Sequence, residues 1–521
     1  MKFNRVIKYD NLWELFYKNA KIYNEYDCFI TVKDSTILAS TYDTVFDNVK
    51  RLSSLFVNSG LKKTDKLVLY MDNSTEWIEI FMACILLGII VVPISPKFSR
   101  SAINQIIKET IPKAIFLKSE YNLKLNYAFQ NIFYLENFNS YLKGQEPITI
   151  RDFAKKISKD DIIEIFYDTN NKNKLYGIVV SHKNLTTNIY NLMLVLPIMQ
   201  YQNIIQTMSL HTRIAQTLSF GILSLGKRQI FLDKVDPDFI KNCNFLFNIE
   251  VVLATPSVLF VMIKMIRELL TQRRLLYTAK IFKGIIKFLP KRIRKIIFIS
   301  NELYRDLQVI VSPTLELSQG NLEWLYNAGL DIYQTYGTTE SGQLTLGQSN
   351  YIEPLSVGTP LPNQMIKIIN NEICIRGDNV FTRYVREDKS SYNSKSKDGW
   401  YITGEKGSMR KNSLFVYGKD REEIILKNKE KIFAKFIEQK INSYKCINDS
   451  YILKYKHHLI VVLITSMNHK YIQKILRNIN KHLNKDAFIS NFYIWDDEFL
   501  PIDELGRINQ LKIKNKIKKY F

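Results

Sequence analysis

The sequence predicts an α/β fold, with a large N-terminal domain of layered α/β sheets and a small C-terminal α+β domain. Three observations support this prediction. The chain has 521 residues, more than one compact core normally holds. Helical and strand patterns alternate through the first four hundred residues, as they do when helices pack on sheets. From Gly418 onward the pattern changes to short strands and Lys-rich helices, so we assign residues 1–417 and 418–521 to the two domains.

The first elements follow from apolar periodicity. Thr44 to Gly60 has apolar residues at helical spacing and ends in glycine. Lys66 to Tyr70 is predicted to be a strand, Trp77 to Leu87 a buried helix, and Ile89 to Ile94 a second strand. This order, helix followed by strand, repeats along the N-terminal part of the chain.

The most apolar run of the chain extends from Ile80 to Ile94. It is shorter than the roughly 20 residues that a membrane-spanning helix needs. It also contains Gly88 and has Pro93 near its end. The run therefore predicts a buried helix that leads into a buried strand.

Later elements are predicted in the same way. Ile178 to Val180 is strand-like and precedes a helix from Asn184 to Leu194. Val251 to Val258 is predicted as a strand that runs into a turn marked by proline. In the small domain, Tyr451 to Leu453 and Leu459 to Ile464 are predicted as strands.

The chain is strongly basic, with 73 Lys and Arg against 50 Asp and Glu and a net charge of +23. Nine of the basic residues lie between Thr271 and Ser300, without an acidic residue and interleaved with apolar ones. Segment 271–300 has two interpretations. One is peripheral contact with an anionic membrane; the other is a helix pair packed on the core, with Lys accumulated on its solvated side.

The five cysteines are scattered and never in C-x-x-C spacing, which indicates reduced thiols and a cytoplasmic location, with peripheral membrane contact as an addition. The first residues lack the apolar core and cleavage site of a secretory signal. No nucleic-acid-binding motif accompanies the positive charge, so we expect no nucleic acid partner. The sequence carries no signal for an oligomeric state.

The strongest local signal for chemistry is the run YGTTE at residues 336–340, after the strand-like segment Leu330–Tyr333. It offers a glycine that permits a tight turn, hydroxyls that can donate to phosphate oxygens, and a carboxylate that can hold Mg²⁺. Such a run alone is common in surface turns. Its meaning depends on its neighbours.

Those neighbours resemble, in order and over nearly the whole length, the superfamily of acyl-CoA synthetases, peptide-synthetase adenylation domains and luciferases. The matching segments are Lys62–Pro96, Tyr176–Leu185 (similar to KGVxxSHxNL), Ser209–His211, Ala254–Ser257, Ser300–Leu303, Glu372–Val380 (similar to GEIxVRGPNV), Gly399–Glu405 (similar to GWxxTGD), Gly418–Glu422 and Leu500–Ile508 (similar to LPxTxxGKI). The resemblance implies a large AMP-binding domain and a small mobile lid domain. It also implies ATP-dependent activation of a carboxylic acid with Mg²⁺ as cofactor.

The resemblance assigns roles to individual residues. It makes Glu340 the Mg²⁺ ligand, Thr339 a phosphate contact, Arg507 the group that stabilises the reacting α-phosphate, and His211 a residue on the acyl side. The nucleotide-binding residues that it implies are Thr169, Lys172, Lys174, Asn301, Glu302, Tyr336, Gly337, Thr338, Glu405 and Lys419.

The long-chain fatty acyl-CoA synthetases are the most similar subgroup. The segment Gly418–Glu438 aligns to their hinge without a gap, and His211-Thr212-Arg213 is also similar to their sequence. The resemblance therefore implies a large apolar acid, with coenzyme A as the preferred thiol and the phosphopantetheine arm of a carrier protein second.

Several positions depart from the family pattern. The phosphate loop TSGTTGxPKG is represented by residues 168–177, where only the hydroxyl of Thr169 and Gly177 remain and Tyr176 stands in place of lysine. Lys172 and Lys174 are candidates to replace the lost charge. Arg507 replaces the terminal lysine with a planar fork; Glu405 replaces aspartate and Lys419 replaces arginine. Two interpretations stay open: an active ligase, or a degenerate relative that binds nucleotide or a partner without turnover.

Overall fold

The structure is a computed structural model of the chain. The described residues are 3–33, 36–96, 98–121, 127–169, 175–232, 246–272, 289–295, 306–313, 319–348, 356–385, 396, 398–419, 423–425, 431–444, 446–455, 458–483, 487–497, 500–501 and 508–520. Of the basic segment 271–300, these include residues 271–272 and 289–295.

Helices flank the sheets on the described part of the chain. They are α1 (Leu12–Ile22), α2 (Tyr42–Asn58), α3 (Thr75–Leu87), α4 (Arg100–Thr110), α5 (Phe138–Lys143), α6 (Arg151–Ala154), α7 (His182–Met193), α8 (Arg213–Leu223), α9 (Pro256–Gln272), α10 (Gln319–Asn327), α11 (Ala434–Asn442), α12 (His469–Asn480) and α13 (Gln510–Ile517).

The strands of the N-terminal part are β1 (Asp27–Lys33), β2 (Thr36–Thr41), β3 (Lys66–Tyr70), β4 (Ile90–Pro93), β5 (Ala114–Leu117), β6 (Asn131–Tyr134), β7 (Ile162–Thr169), β8 (Leu175–Ser181), β9 (Asn203–Gln206), β10 (Arg228–Leu232), β11 (Val251–Leu253), β12 (Val309–Ser312), β13 (Asp331–Thr338), β14 (Gly342–Gln348), β15 (Thr359–Pro360), β16 (Met365–Ile369), β17 (Glu372–Arg376), β18 (Arg383–Tyr384), β19 (Tyr401–Arg410) and β20 (Ser413–Lys419). Those that follow are β21 (Glu423–Ile425), β22 (Lys431–Phe433), β23 (Ile447–Tyr455), β24 (His458–Thr465) and β25 (Ile489–Ile494).

The strands form two large sheets and three small ones. The nine-stranded sheet has the order β15-β14-β13-β12-β11-β9-β10-β1-β2, and the seven-stranded sheet has the order β18-β8-β7-β4-β3-β5-β6. A four-stranded sheet, β16-β17-β19-β20, a pair, β21-β22, and a three-stranded sheet, β23-β24-β25, complete the fold. The predicted layered α/β architecture is confirmed.

The buried run from Ile80 to Ile94 has the predicted form. Helix α3 is capped by Ser74, whose hydroxyl accepts from the backbone N–H of Trp77, and ends at Gly88 in the left-handed conformation. Strand β4 follows at once and pairs in parallel with β3. Among the described residues, the structure contains no helix both long and apolar enough to span a bilayer.

Two local predictions are wrong in detail. Pro256 does not mark a turn but begins α9, since the fixed φ of proline suits the first position of a helix. The run at 336–340 is also not wholly a turn: Tyr336 to Thr338 lie in β13 and pair with β14. A strand exposed on one face shows alternating polar and apolar residues in its sequence. Most of β13 and β14 is buried on both faces, so that alternation does not mark residues 336–338 as strand.

The described part of the basic segment packs against the protein. Lys291 forms an ion pair with Asp331 at 2.6 Å. The guanidinium of Arg294 donates to the carbonyl oxygen of Tyr326 at 2.6 Å and lies 4.6 Å from the centre of its ring. These residues fit the packed-helix interpretation, and membrane contact by the rest of 271–300 stays a prediction.

The C-terminal residues have an apolar core of their own, formed by α11, α12 and one face of β23–β25. Strand β20 extends to Lys419, two residues past the predicted domain boundary. The position of that boundary stays a prediction.

Candidate active site

The candidate site is centred on the hairpin of β13 and β14. Thr338 pairs with Gly342, and the connecting turn is formed by Thr339, Glu340 and Ser341. Gly337 is required for close approach of the strands, since a Cβ there would collide with the carbonyl oxygen of Gly342. The hairpin places Thr339 and Glu340 at its tip.

A buried guanidinium lies behind this tip. Arg213, the first residue of α8, is 2% exposed, and its Nη1 donates to the carbonyl oxygens of Thr339 at 2.8 Å and Glu340 at 3.0 Å. Its Nη2 donates to the carbonyl oxygens of Asn184 at 3.0 Å and Asn379 at 2.5 Å. We call this set, Asn184, Arg213, Asn379 and the turn 339–340, the rear wall.

The asparagines of the rear wall tie it to the rest of the sheet. Asn184 forms a capping box with Ser181 at the start of α7. Its Nδ2 also donates to the carbonyl oxygens of Asp378 and Val380, each at 2.8 Å. The Nδ2 of Asn379 donates to the carbonyl oxygen of Ser341 at 2.7 Å. The turns at 339–341 and 378–380 are thereby joined to α7 by side-chain amides.

Aromatic side chains contact the carboxylate of Glu340. The hydroxyls of Tyr176 and Tyr384 both donate to Oε1 of Glu340, each at 3.2 Å. Their rings meet edge to face, and Phe381 packs on Tyr384 and Tyr401 with ring centres 4.6 Å and 5.3 Å apart. We call Tyr176, Phe381, Tyr384 and Tyr401 the tyrosine face.

Two phenols of the tyrosine face, those of Tyr176 and Tyr401, remain protonated at physiological pH. Burial, followed by the charges of Glu340 and Asp168, raises the pKa of Tyr176 above its usual range. Burial, followed by Glu340, likewise raises the pKa of Tyr401. The face therefore offers neutral hydrogen-bond donors.

A second carboxylate lies on β19. Glu405 is 9% exposed and accepts a short hydrogen bond from the hydroxyl of Tyr336, which is 7% exposed. Burial and then Glu405 raise the pKa of that phenol well above its usual range. The structure thus brings together two residues, 69 positions apart, that the resemblance assigns to one nucleoside. The backbone of Lys419 pairs with Glu405 across β19 and β20.

His211 lies in the segment that precedes α8. Its Nδ1 makes a short hydrogen bond with the hydroxyl of Ser209. Asn73 holds the segment by two hydrogen bonds of 2.8 Å, to the backbone of Met208 and Leu210. His211 is therefore two residues from Arg213 of the rear wall.

The structure does not describe the positions of the other sequence-predicted side chains. Lys172, Lys174, Asn301, Glu302 and Arg507 lie outside the described residues, as do the side chains of Thr169 and Lys419. Their roles stay predictions.

Magnesium fits this site only if most of its ligands come from water and from phosphate oxygens, and not from the protein. In the part of the chain that the structure describes, no three His, Cys, Asp or Glu side chains come together as a metal site. Glu340 offers a carboxylate whose Oε1 already accepts from two phenols. Mg²⁺ commonly uses one or two carboxylates and takes its remaining ligands from water and phosphate. Glu340 can hold it in that way.

Sequence reasoning missed Tyr384, Phe381 and Tyr401, since nothing in the sequence linked them to Glu340. Arg213 was noted only as a mark of the long-chain subgroup. A lone arginine in an otherwise apolar helix start was the available signal, because a buried arginine must find several acceptors.

Comparison with known proteins gives consistent matches. The family model described as AMP-binding enzyme matches residues 16–385. A long-chain-fatty-acid–CoA ligase of Mycobacterium bovis is 28% identical over 141 residues, which cover 26% of this chain and 23% of that protein. Crotonobetaine/carnitine–CoA ligase of Escherichia coli O127:H6 is 21% identical over 456 residues, covering 78% of this chain and 79% of that protein.

A solved structure is similar over almost the whole chain. The O-succinylbenzoate coenzyme A synthetase from Bacillus subtilis, in complex with AMP, has a TM-score of 0.71 at 17% identity. The match covers 97% of this chain and 98% of that one. At this identity the likeness establishes the fold.

Proposed function

The chain belongs to the family of AMP-binding enzymes, and on that premise we propose that it activates a carboxylic acid with ATP and transfers the acyl group to coenzyme A. The relatives act on fatty acids and on crotonobetaine or carnitine by their names. We propose a fatty acid as the substrate of this chain, on the subgroup resemblance of the hinge and of His211–Arg213.

One observation carries the proposal. Tyr336 and Glu405 lie against each other, and Glu340 lies at the tip of the hairpin whose first strand, β13, carries Tyr336. These are the groups expected to meet the nucleoside and the phosphates. The supporting fact is their common location in one site, although they come from different sheets.

In the proposed first step, an oxygen of the substrate carboxylate attacks the α-phosphorus of ATP. The bond to the bridging oxygen breaks and pyrophosphate leaves with the electron pair. Thr339 and Glu340 face the phosphates, and Arg507 stabilises the charge on the α-phosphate. Magnesium, when bound at Glu340, neutralises phosphate charge.

In the proposed second step, a thiolate attacks the acyl carbonyl carbon. The carbon–oxygen bond to AMP breaks, and AMP leaves as the thioester forms. We propose that the small domain turns between the two steps, with the phosphopantetheine arm of a carrier protein as the alternative acceptor.

The test is acid-dependent exchange of labelled pyrophosphate into ATP, over a panel of fatty and aryl acids. We expect incorporation with at least one long-chain acid and none without acid. Folded protein that shows no pyrophosphate exchange with any acid of the panel would exclude the proposal.

A second candidate is a relative that binds nucleotide without turnover. The position of Tyr176 favours it, since a phenol replaces the lysine of the phosphate loop and engages Glu340. Calorimetry with ATP and Mg²⁺, followed by the same assay on Arg507→Lys, separates the candidates. Activity gained only in the variant supports a degenerate enzyme; activity in the unaltered chain excludes it.

A further inference from the structure

We propose that Arg213 is a positioning residue of the active site, which fixes Glu340 relative to α7 and to the turn at Asn379. The proposal rests on the proposed function, because it names what places the carboxylate that faces the phosphates. Arg213 touches neither substrate nor cofactor by this account. It acts through the backbone of Thr339 and Glu340.

The four hydrogen bonds of the guanidinium join distant parts of the chain. Their acceptors are 29 residues away at Asn184, 126 and 127 away at the hairpin tip, and 166 away at Asn379. The two amino groups of an arginine fork diverge at fixed angles. One side chain therefore sets the spacing of three segments at once.

The acceptors of Arg213 are main-chain carbonyls and not carboxylates. Among the described residues Arg213 has no ion pair within 4 Å, and its Nε has no hydrogen-bond partner. Glu164, which is buried nearby on β7, accepts instead from Gln216 at 2.6 Å. The buried guanidinium donates to four main-chain carbonyls, so it fixes the position of the backbone at those residues.

The same carbonyls lead to the tyrosine face. The carbonyl oxygen of Glu340 also accepts from the N–H of Phe381 at 2.7 Å. Phe381 packs on Tyr384, whose hydroxyl reaches Oε1 of Glu340. A shift of the tip would therefore move both the carboxylate and one of the phenols that orient it.

The fold has support that does not depend on Arg213. The amide of Asn184 still holds Asp378 and Val380, and that of Asn379 still holds Ser341. The variant Arg213→Lys keeps the charge but replaces the planar fork with three donors on one atom. We therefore expect it to fold with a displaced hairpin tip.

The matched control is Arg228→Lys. Arg228 lies on β10, donates to Asp27 at 3.0 Å and Asn203 at 3.4 Å, and also has an Nε without a hydrogen-bond partner. It lies outside the site. Its replacement removes a comparable fork without altering the environment of Glu340.

The experiment measures pyrophosphate exchange, AMP binding by calorimetry, and protection of the Phe381 amide from hydrogen exchange. For Arg213→Lys we expect a loss of at least thirtyfold in the exchange rate, AMP affinity within threefold, and about tenfold lower protection of Phe381. For Arg228→Lys we expect all three within twofold. A purely structural role of Arg213 would lower the exchange rate and AMP affinity together in Arg213→Lys.

Arg213→Lys with unchanged exchange rate and protection would overturn the inference, as would equal losses in both variants. Wild-type protein without exchange on any acid would refute the proposed function alone. In that case the Phe381 amide still decides: selective loss of its protection in Arg213→Lys supports positioning, and unchanged protection overturns it.

Discussion

Glu340 lies between two regions of different construction. The rear wall holds its backbone through the guanidinium of Arg213. Two asparagine amides hold the adjoining turns at 341 and 378–380, and all of these acceptors are main-chain carbonyls. The tyrosine face holds its side chain through two phenols that share one oxygen at 3.2 Å. The first arrangement fixes position, because each acceptor has a directed and buried donor. The second leaves the carboxylate able to exchange partners, since each phenol bond is long and shared.

The largest loss in the free energy of unfolding is expected for a substitution in the rear wall. Arg213→Met would remove a donor from four carbonyls, of which that of Glu340 keeps the N–H of Phe381, and we expect the free energy of unfolding to fall by about 4 kcal/mol. Arg228→Met, at the half-buried position on β10, should cost about 1 kcal/mol. Chemical denaturation of both variants measures the difference. Equal losses would show that the rear wall is not specially stabilised.

The start of α7, next to the rear wall, should make stability depend on pH. Burial lowers the pKa of His182 from 6.5 to about 4, an effect that Asp161 partly opposes. Its Nδ1 accepts from the N–H of Leu12 at 3.2 Å, which requires the neutral ring. Because the unfolded chain binds the proton more tightly, His182 stabilises fully above pH 6.5, and this contribution is lost as pH falls through 4.

We expect this loss to amount to about 3 kcal/mol between pH 6.5 and 4. Denaturation midpoints measured over that range should show a shallower slope in His182→Gln. The control His458→Gln, at an exposed position on β24, should keep the wild-type slope. An unchanged slope in His182→Gln would contradict the burial argument.

A smaller loss of stability is expected at Tyr336 and Glu405, the residues predicted to bind the nucleoside. Tyr336→Phe removes the donor to the buried carboxylate of Glu405, and we expect a loss of about 2 kcal/mol in the free energy of unfolding. Tyr42→Phe removes a phenol that is also buried and whose acceptor is the neutral carbonyl of Leu223, so about 1 kcal/mol is expected. A larger loss at Tyr42 would argue against a charged acceptor at Glu405.

The smallest effect is expected in the tyrosine face. Tyr176→Phe leaves Tyr384 as a donor to the same oxygen of Glu340, so stability should change by less than about 1 kcal/mol. Because one competitor of the metal is removed, ATP with Mg²⁺ should bind about threefold more tightly by calorimetry. Tyr384→Phe, with the same 3.2 Å bond, should behave alike. Weaker binding in Tyr176→Phe alone would mean that its hydroxyl contacts the nucleotide.

The sequence was a good guide where structure depends on local order. The run Ile80–Ile94 became α3 and β4, and the helix predicted from Asn184 to Leu194 is α7, His182–Met193. It was a poor guide where structure depends on long-range contact. Nothing local in the sequence reveals that Arg213 reaches Asn379, or that Tyr384 reaches Glu340, because those pairings arise only when separate sheets pack.

The tight turn predicted at Gly337 was misplaced for a related reason. A glycine indicates either a left-handed backbone or close approach, and the sequence alone does not separate the two. Here Gly342 has the positive φ, while Gly337 permits the strands to meet.

The most direct test of the central claim compares Glu340→Gln with Glu109→Gln in acid-dependent pyrophosphate exchange. Glu109, on α4, also accepts from a tyrosine hydroxyl, that of Tyr167 at 3.3 Å, but lies outside the site. We predict exchange by the wild type with at least one fatty acid, a loss of at least a hundredfold in Glu340→Gln, and a change within twofold in Glu109→Gln. Wild-type exchange that survives in Glu340→Gln would contradict the account.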